Sequence, residues 1–251
     1  MSDETLVMTA TFRPAADTPG LVVCDERERM VQYLCALVSW ARPAHVRRIV
    51  FGENSNTRFD FSRVTQYLQA AGKEVEVLVF DGNREVVRFG KGYGEGEILE
   101  HVYRHSRLLR AAPAFYKVTG RLYVGNFDAV SEATSTLDAF QRKVKQPKDG
   151  PPRPCKVVTT FFKCSLALFE RRLVRAYTQV DDLHGVFIEH VYYNQLREVD
   201  APSFSVRPTL VGQQASTGRV YGAYDEGVVR TAQSFVASPA VASTRPQRLA
   251  Q

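Results

Sequence analysis

The sequence predicts an α/β protein with a mostly parallel sheet and covering helices, and three observations carry that prediction. Strand-like and helix-like segments alternate as β-α-β-α-β over residues 6–80. Polar, turn-forming residues follow each of the first three strands. Apolar residues are 44% of the 251 positions and charged residues 24%, a balance that fills a core.

Leu6–Phe12 reads as the first strand, ended by Pro14. Asp25 with Glu28 three places on forms a capping box. Val31, Leu34, Cys35 and Val38 then follow at i, i+3, i+4 and i+7, the stripe of a helix packed on one face. Pro43 stops that helix. Arg48–Gly52 is the second strand and runs into the polar loop Glu53–Asn56. A second helix buries Phe61, Val64, Leu68 and Ala71 and ends at Gly72. Glu74–Phe80 is the third strand, closed by the turn Asp81-Gly82-Asn83.

Beyond it, a glycine-rich segment, Gly90–Glu97, leads into a helix that buries Ile98, Leu99 and Val102. Ala114–Thr119 and Arg121–Val124 are β-rich runs around Gly120. Residues 141–153 are a polar, Pro-rich loop, and Cys155–Phe162 is a further strand. Helices are expected over 164–176, 182–197 and from Glu226, before a polar end. No internal repeat is present. The chain reads as one domain over 1–225 with a C-terminal helix and tail over 226–251.

Lys plus Arg is 33 and Asp plus Glu is 27, a net charge of +6 that is too small to mark a nucleic-acid binder. No run approaches the ~18 apolar residues of a membrane-spanning helix. Met1-Ser2-Asp3-Glu4 lacks a secretory pattern, so the expected compartment is the cytoplasm. The four cysteines form no C-x-x-C pair and read as reduced, structural thiols without a zinc site.

Ligands of parallel sheets sit beyond the carboxyl ends of the strands. Phe12–Pro14, Glu53–Asn56 and Asp81–Asn83 therefore share one rim. Near it in sequence, the glycines of Gly90–Glu97 allow close backbone approach to a phosphate, the following helix offers free N–H groups, and Lys91 adds a charge. Known fingerprints fail there. G-x-G-x-x-G needs glycine at 95 or 99 and meets Glu95 or Leu99, and no P-loop spacing occurs. The plain alternative is a surface hairpin with no ligand.

Gly90–Glu97, followed by Phe115–Val124 with its Lys117-Val118-Thr119-Gly120-Arg121 core, resembles bacterial glycosyltransferases of capsule and lipopolysaccharide O-antigen assembly. Those enzymes carry a GKGxGEGE stretch and then a KxTGR(Y/L) stretch. The resemblance implies a GT-A-like, Rossmann-type α/β fold and hexosyl transfer from a nucleotide-sugar to a growing surface polysaccharide. Its partners would be that donor and a glycan or lipid-linked glycan acceptor, with no cofactor. The β-α-β-α-β start agrees with it and would hold the nucleotide, with Thr11, Phe12 and Pro14 near the base and Asp81 near the ribose. Lys91, Gly92, Gly94, Glu95, Lys117, Thr119, Gly120 and Arg121 would lie around the phosphates.

One departure matters. Many GT-A enzymes hold a divalent metal with Asp-x-Asp at the end of a central strand. Here that strand ends without an acid pair, Asp128 is isolated, and Asp181 and Asp182 are adjacent. Lys91, Lys117 and Arg121 are then expected to neutralise the leaving diphosphate, so transfer without a metal is expected. Glycosyl transfer also needs a carboxylate near the anomeric carbon. Glu189 is the candidate base, with His190 and Asp182 beside it. Glu95 and Glu97 are rivals, and a helix-capping Asp182 with a solvated Glu189 is the plain alternative.

Residues 141–175 hold ten basic and two acidic side chains. Such a stretch suits anionic membrane headgroups near a lipid-linked acceptor, at the inner membrane face. It also leaves two competing readings: a non-catalytic basic module that binds nucleic acid, and an inactive nucleotide-sugar-binding subunit.

Overall fold

The computed structural model describes residues 3–143, 155–214 and 217–237. The elements are β1 (Glu4–Ala10), α1 (Glu26–Ser39), β2 (Val46–Glu53), α2 (Ser62–Ala70), β3 (Glu74–Val79), α3 (Val86–Phe89), α4 (Lys91–His105), α5 (Arg107–Arg110), β4 (Ala114–Thr119), β5 (Leu122–Val124) and α6 (Phe127–Glu132). They continue with β6 (Arg142–Lys143), β7 (Lys156–Val157), β8 (Phe161–Ser165), α7 (Leu166–Leu168), α8 (Ile188–Gln195), β9 (Leu210–Gln213), β10 (Val220–Gly222) and α9 (Glu226–Val236).

The main sheet has the order β3-β2-β1-β4-β8. The first four strands are parallel, and β8 runs antiparallel to β4. β1 is buried on both faces, as the uninterrupted run Leu6-Val7-Met8 requires of a central parallel strand. Leu6, Met8 and Ala10 point into a core shared with α1, α2 and α9, while Val7 points to the other core with α4 and α8. Two small antiparallel sheets, β10-β9-β5 and β6-β7, flank the main one. Among the described residues no helix is long and apolar enough to cross a membrane.

The glycine-rich segment is the first difference from the sequence reading. It is helix rather than loop, with only Gly90 outside, at φ +93°. Its glycines serve close packing. A Cβ on Gly94 would lie 2.7 Å from Val86 Cγ2, and one on Gly96 would lie 2.0 Å from Tyr177 Cβ. Burial of neighbouring elements against bare helix backbone outweighs the poor helix propensity of glycine.

Other boundaries shift for local reasons. β1 ends at Ala10, so Phe12 leaves the strand. The expected strand 155–162 divides into β7 and β8. The expected helix over 164–176 begins as α7 and passes through a π-turn at Phe169–Leu173, where the Val174 N–H donates to Phe169 O. The expected helix over 182–197 starts only at Ile188. Before it, Asp181 and Val186 exchange backbone hydrogen bonds around Gly185, which sits at φ +78°. α9 places Val228 and Ala232 in the same core as α1. Lys145, Lys148, Asp149 and Arg153 of the basic stretch, and the tail 238–251, lie outside the described residues.

Candidate functional site

Strand register builds the floor of the site. Thr9 pairs with Thr119 across β1 and β4, and the Thr119 N–H donates to Thr160 O beside β8. Paired residues project to one face, so these threonines form a row at the tips of three strands. The row continues the Val7–Lys117–Phe162 face and lies beneath α4. It opens into a cleft of about 320 Å³. On the other side, Lys91, Gly92, Glu95 and Ile98 line the cleft, as one face of α4 does at i, i+1, i+4 and i+7.

Arg121 follows the row by two residues, and Gly120 makes that position possible. The Gly120 N–H donates to Thr9 O at 2.9 Å, and a Cβ there would lie 2.6 Å from the same oxygen. The chain therefore turns flat against β1 and carries the Arg121 side chain into the cleft. Arg121 is only 5% exposed. Its guanidinium carbon lies 5.6 Å from the centroid of the Tyr33 ring, and Nε and Nη1 are buried with no partner among the described residues.

Arg29 does not share that state. Nε and Nη2 donate to Thr11 O, Nη1 donates to Val23 O, and Nη2 also reaches the Tyr33 hydroxyl. Burial alone would raise the Tyr33 phenol, but Arg29 and Arg121, with the Thr11 N–H, hold it below the usual tyrosine range. Burial likewise pushes the Arg121 guanidinium down, against the pull of Tyr33. A buried guanidinium with open N–H groups is a site prepared for an anion.

The carboxylates stand opposite. Glu95 is in direct contact with Lys117. Glu189, in the first turn of α8, lines the cleft, and its carboxylate makes no hydrogen bond among the described residues. Asp182 accepts from the Gly92 N–H at 3.1 Å, capping α4 from a distant segment. Its carboxyl is raised, chiefly by burial and against the Gly92 hydrogen bond and Lys91. His190 also lines the cleft, its Nδ1 lying 3.3 Å from Gly185 O.

Of the residues singled out in the sequence, the cleft gathers Thr11, Lys91, Gly92, Glu95, Thr119, Arg121, Asp182, Glu189 and His190. The others stand outside its lining, Glu97 among them, which accepts from Asn54 Nδ2 and the Asn83 N–H. Phe12 has no exposed surface and packs among Tyr33, Phe51, Phe59 and Phe61, so it cannot meet a base. Asp81 is on the exposed rim, ion-paired with Arg84. Gly94 faces Val86, and Gly120 is buried under Thr9. Lys117 has no exposed side-chain surface and cannot reach a phosphate. The N-terminus of α4 is likewise closed to one, because Asp182 fills it.

Sequence reasoning missed Arg29, Tyr33, Thr9, Thr159 and Thr160. The signal for the first two was their i, i+4 spacing beside the apolar stripe of α1. The threonines could be found only once β8 was known to lie beside β4.

Of the carboxylates at the cleft, Glu95 contacts Lys117 and Asp182 accepts from the Gly92 N–H through Oδ2, while Asp182 Oδ1 is buried with no hydrogen-bond partner among the described residues. Among the described residues no group of three or more His, Cys, Asp or Glu side chains could hold an ion.

No family model matches the chain, and no curated protein matches it. Solved structures do. The glycosyltransferase GlyE of Streptococcus pneumoniae TIGR4 is similar at TM-score 0.50 and 12% identity, over 82% of this chain and 46% of that one. Its apo form gives TM-score 0.51 over the same shares. The active-site mutant Q189E of LgtC gives 0.52 at 11% identity, over 79% of this chain and 72% of that one. The chain thus spans about half the length of the GlyE structures. At such identities the likeness speaks of architecture alone, and the architecture is an α/β fold of the GT-A-like type.

Proposed function

We propose that this protein is a glycosyltransferase that moves a sugar from a nucleotide-sugar onto a growing bacterial surface polysaccharide, without a divalent metal. The observation that carries the reading is the Arg121 guanidinium, buried at a strand tip of a GT-A-like sheet with Nε and Nη1 open among the described residues. The polysaccharide acceptor rests on the resemblance of Gly90–Glu97 and Phe115–Val124 to capsule and O-antigen enzymes.

In this reading Arg121 takes the diphosphate, and Lys91 and Lys156 at the cleft wall add charge as the bond to the sugar breaks. The threonine row supplies hydroxyls to the phosphate oxygens. Glu189, whose carboxylate makes no hydrogen bond among the described residues, receives the proton of the acceptor hydroxyl as the acceptor oxygen bonds to the anomeric carbon. The basic stretch 141–175 holds the protein against anionic headgroups near a lipid-linked acceptor.

Calorimetry and turnover against a panel of UDP-, GDP-, CMP- and dTDP-sugars, with and without excess chelator, test the reading. One donor class is expected to bind and turn over equally in both conditions. Full loss on chelation removes metal independence, and no binding by any donor removes the reading. Glu189→Gln is expected to lower turnover by about 10²–10⁴-fold, the usual worth of a general base, with donor affinity kept. Near wild-type turnover would free Glu189 of that role.

A further inference from the structure

Lys117 is a fully buried charge that the proposed reaction leaves without a task. It stands mid-sheet on β4, level with Val7 and Phe162, where a hydrophobic residue would be expected. Its three N–H groups are committed: one to Glu95, one to Thr159 O at 2.7 Å, and a longer contact to Thr119 Oγ1 at 3.4 Å. None is left for a ligand. Burial pushes its ammonium down, and the Glu189 carboxylate opposes that.

A buried ion pair is a poor device for stability, since an apolar pair of similar volume serves as well or better. The surroundings point to aim instead. Glu95 lies on the cleft face of α4, with 22% of its side chain exposed there. The glycines on either side of it lock the helix against Val86 and Tyr177. α4 therefore cannot roll, and Lys117 fixes the one carboxylate the helix presents above the threonine row.

We propose that Lys117 is a positioning residue that holds Glu95 as the carboxylate facing the sugar of the donor. This rests on the nucleotide-sugar reading above. Glu95 accepts no proton in this arrangement. Its charge stands against the positive charge that develops at the anomeric carbon as the diphosphate leaves, and Arg121 holds the other end of the donor.

Lys117→Met, Glu95→Gln and the double variant test the pair, with nucleoside diphosphate affinity, turnover and thermal midpoint read for each. Each single variant is expected to keep diphosphate affinity within about threefold and to lose about 10²-fold or more in turnover, a loss confined to the transition state. The double variant is expected to be no worse than the poorer single, because the two residues act as one unit. Losses that multiply in the double variant overturn the proposal. So does a Lys117→Met variant whose affinity and thermal midpoint fall in step with its turnover, as a purely structural lysine would dictate. Should Lys117→Met fail to fold, Glu95→Gln decides alone: unchanged turnover overturns the proposal. A wild-type protein that binds no nucleotide-sugar overturns the function itself, and this assignment with it.

Discussion

Arg121→Met is expected to weaken nucleotide binding by at least about 30-fold while leaving the fold intact or more stable. The two effects have one origin. In the free protein, Arg121 carries a charge out of water with Nε and Nη1 unpaired among the described residues. Each buried group left unpaired costs about 1–3 kcal/mol, and methionine would relieve it. The thermal midpoint should then rise by a few degrees, since 1 kcal/mol is worth roughly 2–4 °C in a chain of this size. With ligand present the sign reverses, because a phosphate that meets the open N–H groups gains a fully desolvated partner worth about 2–5 kcal/mol. Calorimetric titration with nucleoside diphosphates and a thermal melt of the apo protein measure both sides. A variant that binds as tightly as wild type, or that melts far lower, would show Arg121 to be a structural residue.

Gly96→Ala is expected to destabilise the protein by about 3 kcal/mol, at the upper end of ordinary overpacking. The sign is what makes this informative. In an open helix interior the same change stabilises by roughly 1 kcal/mol, because alanine is the better helix former. Here the new methyl would sit 2.0 Å from Tyr177 Cβ and 2.5 Å from its Cγ, atoms too near their own backbone to swing aside. Tyr177 is further tied to α4 by its hydroxyl, which donates to Glu100 at 2.6 Å. A thermal midpoint lowered by roughly 6–12 °C is the expected reading. A rise would mean that α4 and the Ala176–Gln179 turn do not meet this closely.

The first five elements were legible because each depends on local signals. The Asp25 side chain does cap α1 through the Glu28 N–H, and Gly72 does sit just past α2 at a positive φ. The unbroken apolar run Leu6-Val7-Met8 fits a strand buried on both faces. The cleft was legible in part: Thr119 and Arg121 entered through the resemblance carried by Lys117–Arg121, and both line it. The rest depended on contacts distant in sequence. Nothing local distinguishes glycines that line a phosphate from glycines that admit Val86 and Tyr177 to a helix. Phe12 has the place of a rim residue, and only the Phe51–Phe59–Phe61 cluster draws it inward. Lys117 looks like a ligand-binding charge in sequence and becomes an internal one because Glu95 and Thr159 close over it.

The strand order also dictates when in the life of the chain the cleft can exist. The middle strand, β1, is made first, and its neighbour β4 follows more than a hundred residues later. Pairings so remote carry a large loop-closure cost, so the sheet should assemble slowly and finish from one side. During synthesis β1, β2 and β3 can join early, but the opposite flank of β1 stays bare until β4 emerges, and that of β4 until β8 does. An unpaired flank on a strand this apolar invites association with other nascent chains. A ribosome stalled before Phe161 would therefore display at most four of the five strands, with the outer flank of β4 bare.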